Sequence, residues 1–296
     1  MPTLSKFPNV TQYFIVMKKV LKKYIPLAFG AYINIMALFS KTKAAKKAFI
    51  LFCTPRKGKV LPQQEAYLNE AKKEVLKTGK VDLQIYEWQG DKETILLLHG
   101  WESNVFRWRN LITLLQDKNY HIIACDAPAH GNSSGKILNI PLYEECVQEL
   151  IEKCQPTYVI GHSLGAMTAL YNQHKRNYNI SIKKIVTLGS PSIVSEFIDN
   201  YKNTLHLNST VIKSLDNHFM NEFNFRIKDF SISEYAKKIN VKGLLIHDVL
   251  DPITPFKNSE NIHQNWKNST LIKTSGYGHS LHQENVNKSI LEFLAS

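Results

Sequence analysis

Residues 158–165 read Tyr158-Val159-Ile160-Gly161-His162-Ser163-Leu164-Gly165, and the reading of the whole chain starts there. A short apolar run ends in Gly-x-Ser-x-Gly, and residues 166–171 then have the spacing of the first turns of a helix. A serine at a sharp strand-to-helix turn is backed by the helix N-terminus and lies close to an unpaired backbone N–H. Such a turn crowds its neighbours, so glycine two residues to either side removes the side chains that would collide. The pattern is short, and its weight comes from what flanks it.

Upstream, residues 81–88 alternate like a half-exposed strand, with Leu83, Ile85 and Tyr86 as inward or edge candidates. Residues 94–98 form a continuous aliphatic run, as a strand buried on both faces requires, and end in His99-Gly100-Trp101. Residues 105–116 have helical spacing. Residues 121–125 are a further buried strand, closing in Asp126-Ala127-Pro128-Ala129-His130-Gly131-Asn132-Ser133. An amphipathic helix over 142–153 leads into the strand at 157–160. Downstream, 184–188, 243–247 and 270–273 are buried runs, and 285–294 is a closing helix. This alternation predicts an α/β fold, a mostly parallel sheet with helices on both faces. Ligands of such sheets bind at the C-terminal edge of the strands, where the unusual loops of this chain fall.

The alternation stops between residues 189 and 240. Helical pieces at 192–201, 209–217 and 231–239 predict a small cap inserted at about 190–240. Its aromatics (Phe197, Phe219, Phe223, Phe225, Phe230) either line a substrate pocket or, the simpler reading for each, form the cap's own core.

The 296 residues suit one large core with an extension. The net charge of +12 is unevenly placed: residues 1–80 hold 16 Lys/Arg against 3 Glu, and residues 81–296 hold 21 basic against 22 acidic residues. The basic character therefore belongs to an N-terminal segment without a nucleic-acid motif, and a nucleic-acid partner is not expected. Cys53, Cys125, Cys146 and Cys154 show no metal-type spacing and are expected as free thiols in a reducing cytoplasm.

The division expected from the sequence is a basic helical extension over 1–80 and a domain over 81–296 that carries the cap. Residues 24–39 contain no charge and are flanked by lysines on both sides. A signal peptide does not fit the Lys-rich sequence that follows. A membrane span needs about 20 apolar residues, and this run holds Pro26, Gly30 and Asn34. Two fates remain open. One is a helix covering an apolar patch beside the active-site mouth; the other is peripheral contact with anionic membrane through residues 14–50. Residues 49–62 read as a helix end and a basic linker, and residues 63–77 as a surface helix.

A serine hydroxyl needs a base to remove its proton, and the base needs a carboxylate to hold its tautomer. The loop after the 243–247 strand carries His247-Asp248-Val249-Leu250-Asp251-Pro252-Ile253-Thr254-Pro255, and the next such loop carries Ser275-Gly276-Tyr277-Gly278-His279-Ser280. Ser, Asp and His thus follow one another in chain order, each just past an expected strand.

With these features, and with Leu97-Leu98-His99-Gly100-Trp101, the chain from about residue 81 onward resembles the α/β-hydrolase superfamily. The resemblance implies Ser163 as nucleophile, Asp251 as acid and His279 as base, with an oxyanion hole from the backbone N–H groups of Trp101 and Leu164. Asp248 is a rival acid, less well matched to the family's Asp-x-x-x-Pro spacing. His282 is a rival base, placed where the last helix begins. His99, His162, His130 and Asp126 read as structural residues around the site. Ala129 departs from the family, which commonly has glycine there. The implied activity is hydrolysis of an ester or thioester, with an apolar small-molecule substrate and neither metal nor organic cofactor. Acyl transfer, carbon–carbon bond hydrolysis, perhydrolysis or a low-turnover receptor on the same fold are the alternatives.

Overall fold

Among the described residues, eight strands form one sheet: β1 (Lys72–Lys77), β2 (Asp82–Trp88), β3 (Thr94–Leu98), β4 (His121–Cys125), β5 (Tyr158–His162), β6 (Lys184–Leu188), β7 (Lys242–Asp248) and β8 (Ser269–Thr274). Their order is β1-β2-β4-β3-β5-β6-β7-β8. β2 runs antiparallel to both β1 and β4, and every neighbouring pair from β4 to β8 is parallel. The structure, a computed structural model, describes residues 10–176 and 181–296. Part of the segment expected to meet lipid, the side chains of residues 14–16 and 18–22, lies outside the described residues.

The helices are α1 (Val10–Phe39), α2 (Lys41–Cys53), α3 (Pro62–Leu68), α4 (Arg109–Asp117), α5 (Ile140–Cys154), α6 (Leu164–Lys175), α7 (Val194–Leu205), α8 (Ser209–Phe223), α9 (Ile232–Ala236), α10 (Lys257–Asn265) and α11 (Glu284–Ala295). β5 and β6 are buried at every position, so helices must cover both faces of the sheet centre. Caps set the helix ends. Asn139 accepts the Leu142 N–H at 2.9 Å to start α5, and Gln155, at φ 43°, ends it with an N–H to the Ile151 carbonyl. Lys184, at the start of β6, is buried and donates to the Phe293 and Leu294 carbonyls, neutralising the C-terminal end of α11.

Register brings the strand ends level. Leu98 pairs with Gly161 and Cys125, Gly161 with Thr187, and Leu188 with Ile246. The loops that begin at His99, Asp126, Ser163, Gly189 and Val249 therefore leave one edge of the sheet.

Two expectations need correction. Residues 63–77 are not one surface helix: α3 stops at Leu68, and residues 72–77 are β1. The sheet thus begins inside the segment expected as extension. β1 is an edge strand, exposed at Lys72, Lys73, Glu74, Val75 and Lys77, and charged edges guard against further pairing. Such a strand has no buried face to write an alternating pattern.

The chain divides into two compact units, Met1–Phe52 with Ser195–Asp229, and Cys53–Val194 with Phe230–Ser296. Extension and insertion, expected as separate pieces, form the first unit together. Its core joins Ile33, Ala37, Ala44 and Ala48 to Leu205, Leu207 and Val211. Gly30 is required by backbone contact, since a Cβ there would lie 1.6 Å from the Leu205 carbonyl oxygen. Asn34 donates to the His206 carbonyl and accepts the Asn208 N–H, both at 2.9 Å, clasping the turn between α7 and α8. Phe49 packs on Phe219 and Phe223, and Phe225 packs on both of these; Phe219 is buried, and Phe223 and Phe225 are half-buried around it. Phe230 belongs to the second unit, fully buried against Tyr171 and Tyr235.

Candidate active site

Ser163 sits between β5 and α6 at φ 51°, ψ −120°. A non-glycine residue in that region carries strain of about 1–3 kcal/mol, which the surroundings must enforce. They do so by close packing. A Cβ at Gly161 would lie 2.5 Å from the Cα of Ala166, and one at Gly165 would lie 2.2 Å from the Leu98 carbonyl oxygen. The Ser163 N–H donates to Leu188 O at 2.8 Å, and its carbonyl accepts the Met167 N–H, opening the α6 ladder. The loop after β3 passes beside it: a Cβ at Gly100 would meet the Ser163 Cβ at 2.9 Å. Leu164 is the first residue of α6, where backbone N–H groups have no carbonyl within the helix.

Asp251 and His279 are joined directly, Oδ2 to Nδ1 at 2.7 Å. The carboxylate is buried and held from several sides. Oδ1 accepts the N–H groups of Ile253 (2.8 Å) and Thr254 (3.0 Å), and Oδ2 accepts the Thr254 hydroxyl (2.9 Å), with His247 Nε2 3.3 Å away. Burial pushes the Asp251 carboxyl up, but the hydrogen bonds from His247, His279, Thr254 and Ile253 outweigh it and hold the group well below the usual carboxylate range. An ionised Asp251 keeps the proton of His279 on Nδ1, which makes Nε2 the accepting nitrogen.

The Ser163 turn and the loop that carries His279 are tied through His162. Its Nε2–H donates to the His279 carbonyl at 2.8 Å, and the two rings lie 4.8 Å apart. Burial, Arg107 and His279 hold the His162 imidazole neutral, well below its ordinary range. Gly189, next to the Leu188 carbonyl that anchors Ser163, approaches the other two residues. A Cβ there would lie 3.3 Å from His279 Nδ1 and 3.5 Å from Asp251 Oδ2. The described hydrogen bonds thus join 251 to 279 and 162 to 279; none runs from Ser163 Oγ to the imidazole.

The rival residues have other work. Asp248 accepts from Leu250 N–H, the Thr274 hydroxyl and Tyr277 N–H at 3.0, 2.9 and 2.7 Å, lashing the end of β7 to the loop that carries His279. His282 is exposed, ahead of α11. His99 has both nitrogens occupied, donating from Nδ1 to Gly100 O (2.8 Å) and accepting the Ala127 N–H at Nε2 (2.9 Å). Burial, then His130, pushes its pKa down to about 3. His130 likewise donates to Pro128 O and accepts the Glu102 N–H at 2.9 Å, fixing the peptide that follows Trp101. Asp126 accepts the Val105 and Asn132 N–H groups and the Tyr86 hydroxyl. Ala129 stands at φ 66°, a conformation that suits glycine better than alanine.

Sequence reasoning passed over Thr254, His247 as a partner of Asp251, and Arg107, which donates to Ser280 O at 2.9 Å and stacks on Trp108. No motif marks them. Among the described residues, no group of three or more His, Cys, Asp or Glu side chains is arranged to hold a metal ion.

Comparison with known proteins gives two family matches, one described as alpha/beta hydrolase fold over residues 93–219 and one as TAP-like protein over residues 228–296. The chain is 22% identical over 249 residues to "Uncharacterized hydrolase YugF" of Bacillus subtilis, covering 69% of this chain and 90% of that protein. It is 25% identical over 175 residues to "Phospholipase YtpA" of the same organism, covering 53% of this chain and 67% of that one. The structure of an esterase, EaEST, from Exiguobacterium antarcticum matches with a TM-score of 0.57 at 17% identity, covering 74% of this chain and 100% of that one.

Proposed function

This chain belongs to the α/β-hydrolase superfamily and is an enzyme of it, and from that premise we propose a serine hydrolase acting on a carboxylic ester or thioester. Ser163 Oγ attacks the carbonyl carbon while His279 Nε2 takes its proton, and Asp251 steadies the imidazolium that results. The N–H groups of Trp101 and Leu164 receive the oxyanion. His279 then returns the proton to the departing alkoxide or thiolate, leaving the acyl group on Ser163. A water molecule, deprotonated by His279, attacks that ester and frees the acid and the serine.

The observation that carries this reading is the 2.7 Å Asp251–His279 bond, on a loop tied by His162 to the strained turn of Ser163. An apolar acyl group is the preferred substrate class, in keeping with the name of the phospholipase relative. The test is a chain-length series of p-nitrophenyl esters together with a fluorophosphonate probe. Turnover and labelling are expected in the folded protein and absent in Ser163→Ala. A folded protein whose Ser163 stays unlabelled ends the proposal.

A further inference from the structure

One face of α1 is left unexplained by the fold. Gly30, Ile33 and Ala37 turn into the core of their unit. The opposite face carries Ile25, Phe29, Tyr32, Ile35, Leu38 and Phe39, all exposed, with Ile35 at 58%, Leu38 at 79% and Phe39 at 86%. Their spacing follows one side of a helix. A contiguous stripe of this kind marks a surface that meets something apolar.

The charge nearby says what. The first acidic residue of the chain is Glu65, and Lys41, Lys43, Lys46 and Lys47 of α2 are exposed on the segment that follows the stripe. Among the described residues, none of these four lysines pairs with a carboxylate. A second copy of the chain meeting the stripe by two-fold symmetry would bring an equally basic, acid-free segment against the first, with like charges facing. An anionic bilayer supplies both needs, apolar depth for the stripe and phosphate for the lysines. No helix among the described residues is long and apolar enough to cross a membrane.

We propose that the exposed face of α1, with the lysines of α2, docks the protein in plane on bilayers containing anionic phospholipid. The inference is independent of the chemistry at Ser163.

The full chain is to be sedimented with sucrose-loaded vesicles of phosphatidylcholine, with and without phosphatidylglycerol. Binding about tenfold or more tighter to the anionic vesicles is expected, weakening with salt. The pair Leu38→Glu and Phe39→Glu should lower binding by about tenfold or more. Changing Lys41, Lys43, Lys46 and Lys47 to Gln should remove the preference for phosphatidylglycerol. All six positions are exposed, and thermal melts report whether each variant stays folded. Should the glutamate pair fail to fold, the lysine variant decides alone. Equal binding to both vesicle types, no binding, or binding unchanged in the variants overturns the proposal. So does a dimer in solution that the glutamate pair dissociates while vesicles are ignored, which assigns the face to a second copy.

Discussion

Asp251 Oδ2 and His279 Nδ1 lie 2.7 Å apart, and the same oxygen accepts the Thr254 hydroxyl at 2.9 Å. Asp251 is therefore fixed in orientation before it fixes His279. Replacing it by Asn reverses the donor at that point and favours the wrong tautomer of the base. A fall in kcat of about 10⁴-fold with little change in KM is expected for Asp251→Asn. Asp248→Asn, which touches the loop and not the imidazole, should retain most of kcat while lowering Tm. Steady-state kinetics of the two variants test Asp251 as the proposed acid against its neighbour; equal losses of kcat would undo that proposal.

Gly165 faces backbone, not a side chain that can swing away. A Cβ there would lie 2.2 Å from Leu98 O and 2.6 Å from His99 O. Gly165→Ala must push α6 off β3, and a loss of about 3 kcal/mol is expected. Urea unfolding measures it, and a variant as stable as the parent would show that the turn is not packed as described.

Ala129 is the converse case. At φ 66° its side chain strains the backbone by about 1–2 kcal/mol, while glycine would add about 0.4–1 kcal/mol of unfolded-state entropy. Ala129→Gly should therefore raise stability slightly, by less than about 1 kcal/mol, seen as a small increase in Tm. A clear decrease would mean that the buried methyl group matters more than the strain.

Acid should weaken the protein well above the carboxylate range. His99 and His162 are buried and neutral, with folded pKa values pushed below the unfolded value of about 6.5. A depressed folded pKa contributes stability that is complete above the unfolded value and is lost as pH falls. For His99 the window runs from about pH 6.5 down to about 3. Each such histidine adds a slope of about 1.4 kcal/mol per pH unit within its window. Asp251, also depressed, adds its own loss only below about pH 4. Urea midpoints should fall between pH 7 and pH 5, less steeply in His162→Asn, and a flat profile would contradict the neutral buried pair.

Most of the sheet was legible in the chain. β3 and β4 are apolar at every position after their first residue because both their faces are covered, and that demand is local enough to be read residue by residue. The glycines around Ser163 were legible for the same reason, since the turn itself needs them. β1 was not, because an edge strand rich in charge has no buried side to leave a trace.

Which face of α1 turns inward and which carboxylate meets the His279 ring were decided only in three dimensions. α1 is apolar on opposite faces, so no pattern within it tells which one folds inward. Leu205, Leu207 and Val211 settle that from far along the chain. Asp248 and Asp251 leave the same strand three residues apart, and a short loop can present either. Thr254, His247 and the ring of His279 converge on Asp251, while Asp248 is taken up by Thr274 and Tyr277. Sequence alone determined what each segment had to bury. Which polar groups meet depends on where separate segments are brought to rest, and that is a property of the packed whole.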